Sequence, residues 1–194
     1  MTRWSSTADS VTYGKNILDG KHIRLRARTE ADLPVLANWY ENPEIAVLQQ
    51  MIVRPVPESG SVERFRNWTA NESLEAVGFC VARKSDGALL GQAGLIGIDL
   101  RNRSAELIIM LGPEFHGKGY GSDTVRTLVR WGFAELDLHR VELWVFSFNT
   151  GAIGAYRRAG FTEEGRKREA FVHDGHRYDA VLMGVLRSEW SPRP

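Results

Sequence analysis

Apolar and polar residues follow two periods along the chain, which predict strands and helices in alternation. Between residues 22 and 27 every second residue is apolar, which is typical of a strand with one buried face. Between residues 122 and 136 apolar residues recur at every third or fourth position and predict an amphipathic helix. The same periods predict strands over residues 78–83, 90–98, 104–111 and 140–146, a final hairpin turning at Asp174-Gly175, and helices between Thr29 and Pro43 and over residues 61–71 and 152–159.

The order of these elements predicts the fold class. One strand, two helices, three strands, a helix, a strand, a helix and two strands describe an α/β protein whose helices cover the faces of a mixed sheet. Residues 45–60 contain two prolines and predict a long connection. Residues 1–20 and 191–194 show neither period, so we expect an N-terminal tail, one domain over residues 21–190 and a C-terminal tail.

Composition limits the function classes open to this domain. The 194 residues carry 25 Lys and Arg against 24 Asp and Glu, a formal charge of +1, which argues against nucleic-acid binding. No stretch reads as a signal peptide or a membrane span, so we expect a cytoplasmic protein. The single cysteine, Cys80, lies in an apolar strand and is expected to be a core residue. No metal site is expected, because His173 and His176 lack a third ligand at metal-binding spacing.

The segment from Gly112 to Ser122 carries the clearest functional signal. It joins a predicted buried strand to a predicted helix, and its three closely spaced glycines let a ligand approach the backbone amides. Because a helix N-terminus favours anions, we expect a phosphate or pyrophosphate site. The P-loop template fails at Gly119, which stands where Ser or Thr ligates magnesium, and the Rossmann fingerprint lacks its last glycine. Taken alone, the segment is also compatible with a glycine-rich turn of no further function.

Two motifs resemble the signatures of the GNAT N-acetyltransferase superfamily. Residues 105–121 are similar to its acyl-CoA-binding motif, whose loop reads Gln/Arg-x-x-Gly-x-Gly/Ala, and residues 149–161 are similar to its second signature, Asn, then Tyr seven residues on, then Gly-Phe. Residues 39–43 and 174–179 resemble the RimJ/RimL-like branch of ribosomal-protein N-terminal and spermidine acetyltransferases. The resemblance covers residues 21 to about 190. It implies a GNAT fold with a mostly antiparallel sheet of six to seven strands, in which a splayed strand pair binds acyl-CoA.

The resemblance also implies which groups bind acetyl-CoA. Backbone groups of Ile109, Met110 and Leu111 would hold the pantetheine arm, and the Met110 N–H would stabilise the thioester oxyanion. His116 departs from the family's Gln or Arg, but that position chiefly supplies a backbone amide to the pyrophosphate. The loop residues implied in cofactor binding are His116, Gly117, Lys118, Gly119, Tyr120, Gly121 and Ser122.

Three side chains complete the implied site. Tyr156 is expected to donate a hydrogen bond to the CoA thiolate as it leaves or, alternatively, only to pack with Val125, Phe133 and Phe161. Asn149 is expected to hold the pantetheine arm or, alternatively, to cap the following helix. Glu106, the one charge in its apolar strand, is the candidate general base, because burial raises the pKa of a carboxyl group; the alternative is that it marks the solvated start of the strand.

These features predict an acyltransferase that moves an acetyl group from acetyl-CoA directly to a primary amine. The charge of +1 slightly favours a protein or peptide N-terminal amine, because a polyamine would favour an acidic cleft. Spermidine-type and aminoglycoside acceptors stay open, as does a non-catalytic acyl-CoA-binding regulatory module. We expect no nucleic-acid or membrane partner, and a homodimer is left open.

Overall fold

A computed structural model describes residues 4–191, and within them seven strands form one sheet. The strands are β1 (Ile23–Arg26), β2 (Val77–Arg83), β3 (Leu89–Asp99), β4 (Ser104–Leu111), β5 (Arg140–Phe146), β6 (Thr162–His173) and β7 (His176–Leu186). The helices are α1 (Thr7–Asn16), α2 (Asp32–Glu41), α3 (Pro43–Gln49), α4 (Glu58–Trp68), α5 (Tyr120–Glu135) and α6 (Thr150–Ala159), with a 3-10 turn over Pro113–Phe115. Residues 1–3 and 192–194, which hold parts of the two predicted tails, lie outside the described residues.

The sheet confirms the predicted fold class. Its strand order is β1-β2-β3-β4-β5-β7-β6, and every neighbouring pair is antiparallel except β4 and β5, which are parallel. The β6–β7 hairpin turns at Asp174 and Gly175, both with positive φ, as the sequence predicted. Gly160 ends α6 with a φ of 104°, the left-handed conformation that glycine adopts without strain.

A helix forms inside the segment that was predicted to be an N-terminal tail. Ser6 Oγ accepts a hydrogen bond from the Asp9 N–H at 3.2 Å, and the Asp9 carboxylate accepts one from the Ser6 N–H at 3.0 Å. This reciprocal capping starts α1 without any buried residue, so the hydrophobic pattern contained no sign of it. Arg130 of α5 donates to three carbonyls between residues 16 and 19, which ties the segment to the domain.

A second helix occupies part of the connection predicted over residues 45–60. Pro43, which the sequence placed at the end of α2, also stands at the first position of α3. Asn42 caps α3, because its Oδ1 accepts a hydrogen bond from the Glu44 N–H at 2.9 Å. The same proline therefore separates two short helices, and α3 brings its last turn close to the sheet.

Two apolar clusters hold the helices against opposite faces of the sheet. Cys80 is fully buried in the cluster under α2 and α4, where burial raises the pKa of its thiol to about 12. It is therefore a core residue, as expected, and holds almost no thiolate at neutral pH. The first cluster includes Leu95, Leu107, Val125, Leu128, Val129, Phe133 and Val141, and the second includes Leu33, Leu36, Trp39, Phe65 and Met110.

A buried carboxylate fixes the start of α5 next to the start of β1. Asp123 is 4% exposed and accepts hydrogen bonds from the backbone N–H groups of Lys21 at 3.0 Å and His22 at 2.7 Å. A carboxylate in the first helical turn is also favoured by the helix dipole. The N-terminus of α5 is thereby held at one end of the sheet, directly after the glycine loop.

Candidate active site

A cleft opens where β4 and β5 separate. The two strands pair only from Ser104 and Arg140 as far as Glu106 and Glu142. Beyond that point β4 stays paired with β3 and β5 stays paired with β7, so a wedge-shaped gap widens towards the glycine loop. The cleft has a volume of ≈ 610 Å³ and reaches from β4 to the start of α5 and to α6. The splayed pair implied by the resemblance is therefore present.

The hydrogen-bond ladder decides which backbone groups of β4 face this cleft. The Gly112 N–H donates to the Leu90 carbonyl at 2.9 Å, so these two residues form a hydrogen-bonded pair of the antiparallel ladder. Such pairs recur at every second residue, and the register between Gln92 and Met110 continues without a shift. The N–H and C=O groups of Met110 therefore point at β3 and not into the cleft.

The groups that do face the cleft belong to Ile109 and Leu111. The Gln49 Nε2 lies 3.4 Å from the Ile109 carbonyl oxygen, and the His116 Nε2 lies 3.1 Å from the Leu111 carbonyl oxygen, both on the side away from β3. Neither residue has a partner on β5, because pairing stops before them. The ladder thus corrects the prediction for Met110, whose side chain lies in the core under α2.

The glycine loop presents a row of unpaired amides to the same cleft. Gly117 and Gly119 have φ values of 73° and 85°, so both glycines need the positive φ expected from the sequence. In the described part of the chain, the N–H groups of residues 117–122 have no acceptor, and residues 120–122 form the first turn of α5. This arrangement suits a pyrophosphate. The His116 N–H, in contrast, donates to the Pro113 carbonyl at 3.2 Å, which corrects its expected role as an amide donor.

Tyr156 lies on α6 and lines the cleft. Its ring packs against Phe161 with 6.0 Å between ring centroids. Burial raises the pKa of the Tyr156 hydroxyl to about 12, against an ordinary thiol pKa of about 8.5. Complete proton transfer from Tyr156 to a thiolate is therefore uphill, whereas donation of a hydrogen bond costs no ionisation.

Asn149 caps α6, which was one of its two predicted roles. Its Oδ1 accepts a hydrogen bond from the Ala152 N–H at 3.1 Å. Asn149 also lines the cleft. Ser122 links the two helices of this wall, because its Oγ donates to the Ala155 carbonyl at 3.3 Å.

Glu106 lies at the narrow end of the cleft, beside Glu142 in the parallel register. Burial raises the pKa of the Glu106 carboxyl, and the charge of Glu142 raises it further. Glu142 forms an ion pair with Arg140 at 2.9 Å, whereas Glu106 has no ion pair within residues 4–191. The Glu106 carboxylate is thus a partly desolvated group of raised basicity, as a general base requires.

Aromatic and apolar side chains form the rest of the cleft wall. Trp144 is 44% exposed on β5, and it lines the cleft together with Trp68. Sequence analysis missed Tyr40, Met51, Gln92, Phe146 and Phe171, which also line the cleft. They come from four separate elements and one loop, so no local sequence signal joins them.

The comparison with known families shows which family the chain belongs to. Residues 22–162 match the sequence model of the acetyltransferase (GNAT) domain. The chain belongs to this family. It is 29% identical over 171 residues to a spermidine N(1)-acetyltransferase of Vibrio cholerae, over 88% of this chain and 96% of the relative. It is 35% identical over 105 residues to a putative ribosomal N-acetyltransferase of Bacillus subtilis, over 54% of this chain and 57% of the relative.

A solved structure extends this similarity to the fold. The crystal structure of spermidine N-acetyltransferase from Vibrio cholerae in complex with CoA and spermine matches with a TM-score of 0.76 and 28% identity, over 87% of this chain and 97% of that chain. Family membership confirms an acetyl-CoA-dependent N-acetyltransferase, and the non-catalytic module is set aside. The cleft fits acetyl-CoA. The unpaired amides of residues 117–122 suit an anion such as its pyrophosphate, and apolar walls surround the backbone groups of Ile109 and Leu111.

Two further features of the described residues concern metal ions and membranes. No group of three or more His, Cys, Asp or Glu side chains within residues 4–191 is arranged to hold a metal ion. No helix in the same range is long and apolar enough to cross a bilayer.

Gly119→Ala is predicted to weaken acetyl-CoA binding at least tenfold, about 1.4 kcal/mol, because the methyl group should strain the loop whose amides we expect to bind the pyrophosphate. Gly87→Ala is the matched control, since Gly87 also has positive φ with open space around it but lies in the β2–β3 turn. Both variants should lose about 1 kcal/mol of unfolding free energy. Isothermal titration calorimetry should show weaker binding for Gly119→Ala alone; equal affinities would contradict the loop assignment.

Proposed function

We propose that this acetyltransferase modifies the N-terminal α-amine of a protein or peptide. The observation that carries the proposal is the charge of the cleft wall. Among the described residues that line it, Glu106 is the one acidic side chain, and apolar and aromatic residues dominate the acceptor side. A single carboxylate suits one amine, whereas a polycation is recognised by several carboxylates.

The acidity of the acceptor supports the same proposal. An α-amino group has a pKa of about 7.7–8.0, whereas a lysine-type alkylammonium has a pKa of about 10.4. At neutral pH the free amine is therefore a few hundred times more abundant for a peptide N-terminus. Glu106, the one carboxylate base, therefore has to deprotonate a smaller fraction of the acceptor when the acceptor is an α-amine.

The rim of the cleft suits the side chains that follow such an amine. Met51 and Ile52 are 67% and 71% exposed in the segment after α3, and Met51 also lines the cleft. Trp144 adds an exposed aromatic surface on β5. Exposed apolar residues grouped at a cleft mouth are typical of a binding surface, so we expect acceptors with apolar residues near the N-terminus.

Four groups of the chain would divide the work of the reaction. The Glu106 carboxylate takes a proton from the acceptor amine, directly or through water. The Ile109 N–H, which faces the cleft nearest its narrow end, replaces Met110 as the donor to the thioester oxygen. The Tyr156 hydroxyl donates a hydrogen bond to the sulfur, and the amides of residues 117–122 hold the pyrophosphate.

A polyamine is the second candidate acceptor, because the Vibrio cholerae relative and its solved structure are named for spermidine. The positions of three nearby acidic residues argue against a polyamine. Glu41 accepts hydrogen bonds from Ser61 and from the Val56 N–H, and neither Glu41 nor Glu44 nor Glu58 lines the cleft. An aminoglycoside, also a polycation, meets the same objection.

A CoA-release assay with matched acceptors tests the proposal. We expect kcat/KM to be at least tenfold higher for peptides with a free N-terminus and apolar first residues than for spermidine, spermine or an aminoglycoside. The matched control is the same peptide with an acetylated N-terminus and one lysine, which should release no CoA above background. Preference for a polyamine over every peptide would overturn the proposal.

Glu106→Gln is predicted to lower kcat at least about a hundredfold, since a positioned base is worth about 10²–10⁴. The acidic limb of the wild-type pH–rate profile should lie above the ordinary carboxyl range, because the Glu106 pKa is raised, and this limb should vanish in the variant. Glu142→Gln is the control: it removes a neighbouring charge, so it should move the limb to lower pH and keep it. An unchanged limb in Glu106→Gln would remove Glu106 from the mechanism.

The same variant should change stability in a pH-dependent way. A carboxyl whose pKa is raised in the native state makes folding less favourable as pH rises through that pKa. Glu106→Gln should therefore raise the Tm at neutral pH and leave it nearly unchanged near pH 4, where both proteins carry a neutral group. Calorimetry at the two pH values measures the difference.

A further inference from the structure

Gln92 is a buried polar residue in the cleft that the reaction described above does not use. Its side chain is 1% exposed, yet Nε2 has no hydrogen-bond partner within residues 4–191. Gln92 lies opposite Met110 and Ile96 lies opposite Glu106, so Gln92 and Glu106 are on the same face of the sheet. Gln92 also lines the cleft.

Without a ligand, an unpaired amide in this position destabilises the folded chain. Buried side-chain amides normally have partners, because losing hydrogen bonds to water without replacement destabilises the fold. Gln50 shows the ordinary arrangement: it is 8% exposed and its Nε2 donates to the Tyr40 carbonyl at 2.9 Å. Gln92 lacks such a partner among the described residues, so its amide is available to a ligand.

The neighbouring residues on β3 and β2 fix the direction of the Gln92 amide. The next residue on the same face of β3 is Gly94, and the Gln92 Nε2 lies 3.4 Å from the position that a Cβ on Gly94 would take. The amide therefore leans along β3 towards the pair of Ile96 and Glu106. The β2 backbone closes the space beside Gly94, since a Cβ there would lie 2.5 Å from the Val77 carbonyl oxygen, so a ligand would reach the amide from the cleft that Gln92 lines.

We propose that the Gln92 side-chain amide binds the first peptide carbonyl of the acceptor. This inference rests on the proposed function, because a peptide N-terminus carries a carbonyl group next to its amine and a polyamine carries none. A half-turn of the amide about χ3 presents its donor to the cleft, where it hydrogen-bonds the carbonyl oxygen while Glu106 faces the amine. The two contacts together select an α-amino acyl group over an isolated amine.

Steady-state kinetics with Gln92→Met test the inference, because methionine matches the length of glutamine without its amide. The acceptors are a peptide with a free N-terminus and its isostere, in which an (E)-alkene replaces the first peptide bond. We expect Gln92→Met to raise the KM for the peptide at least tenfold and to leave kcat and the KM for acetyl-CoA within about twofold. For the alkene isostere the wild type should already show the higher KM, and the substitution should change nothing.

Gln50→Met serves as the matched control for folding. It breaks a satisfied hydrogen bond, so its Tm should fall, whereas the Tm of Gln92→Met should stay level or rise because an unpaired buried amide is removed. Equal KM changes for both acceptors, no change for the peptide, or a fall in Tm as large as that of Gln50→Met would overturn the inference. A wild type that releases no CoA with the peptide refutes the proposed function itself, and the inference with it.

Discussion

The parting of β4 from β5 is the constraint on which the rest of the site depends. Once pairing stops at Glu106 and Glu142, the backbone groups of Ile109 and Leu111 lose their neighbouring strand. Inside a closed sheet, unpaired groups would destabilise the fold, so the gap is tolerated because it lines a cleft that an extended ligand can fill. The pantetheine arm offers amides and carbonyls of the same kind, and it would replace the missing strand.

The electrostatics of this site depend on local groups and not on the net charge of the chain. A chain with a net charge of +1 has little long-range attraction for a multiply anionic cofactor. The unpaired amides of residues 117–122 and the start of α5 concentrate partial positive charge at one point, which Asp123 holds in place. Towards the other end, burial keeps Glu106 basic. One cleft thus offers amides suited to an anion and a carboxylate suited to an amine, without an excess of either charge.

Local patterns predicted β4 and β5 with their observed bounds, because long apolar runs between turn residues leave little choice of element. The glycine loop was predictable for a similar reason, since positive φ values at Gly117 and Gly119 require that residue type. The error at Met110 arose because two adjacent residues differ only in which way their N–H points. That direction follows from the pairing of Gly112 with Leu90, which no local pattern contains. Gln92 was missed because a buried glutamine becomes informative only when its partners are known.

Amide hydrogen exchange at three consecutive residues of β4, measured by NMR with and without CoA, tests the central claim most directly. In the free protein the Met110 amide should exchange slowly, because it is paired with β3, while the Ile109 and Leu111 amides should exchange faster. Saturating CoA should slow Ile109 and Leu111 at least about tenfold, which corresponds to about 1.4 kcal/mol of added protection, and should leave Met110 unchanged. Protection gained by Met110 alone, or slow exchange of all three amides in the free protein, would contradict the account.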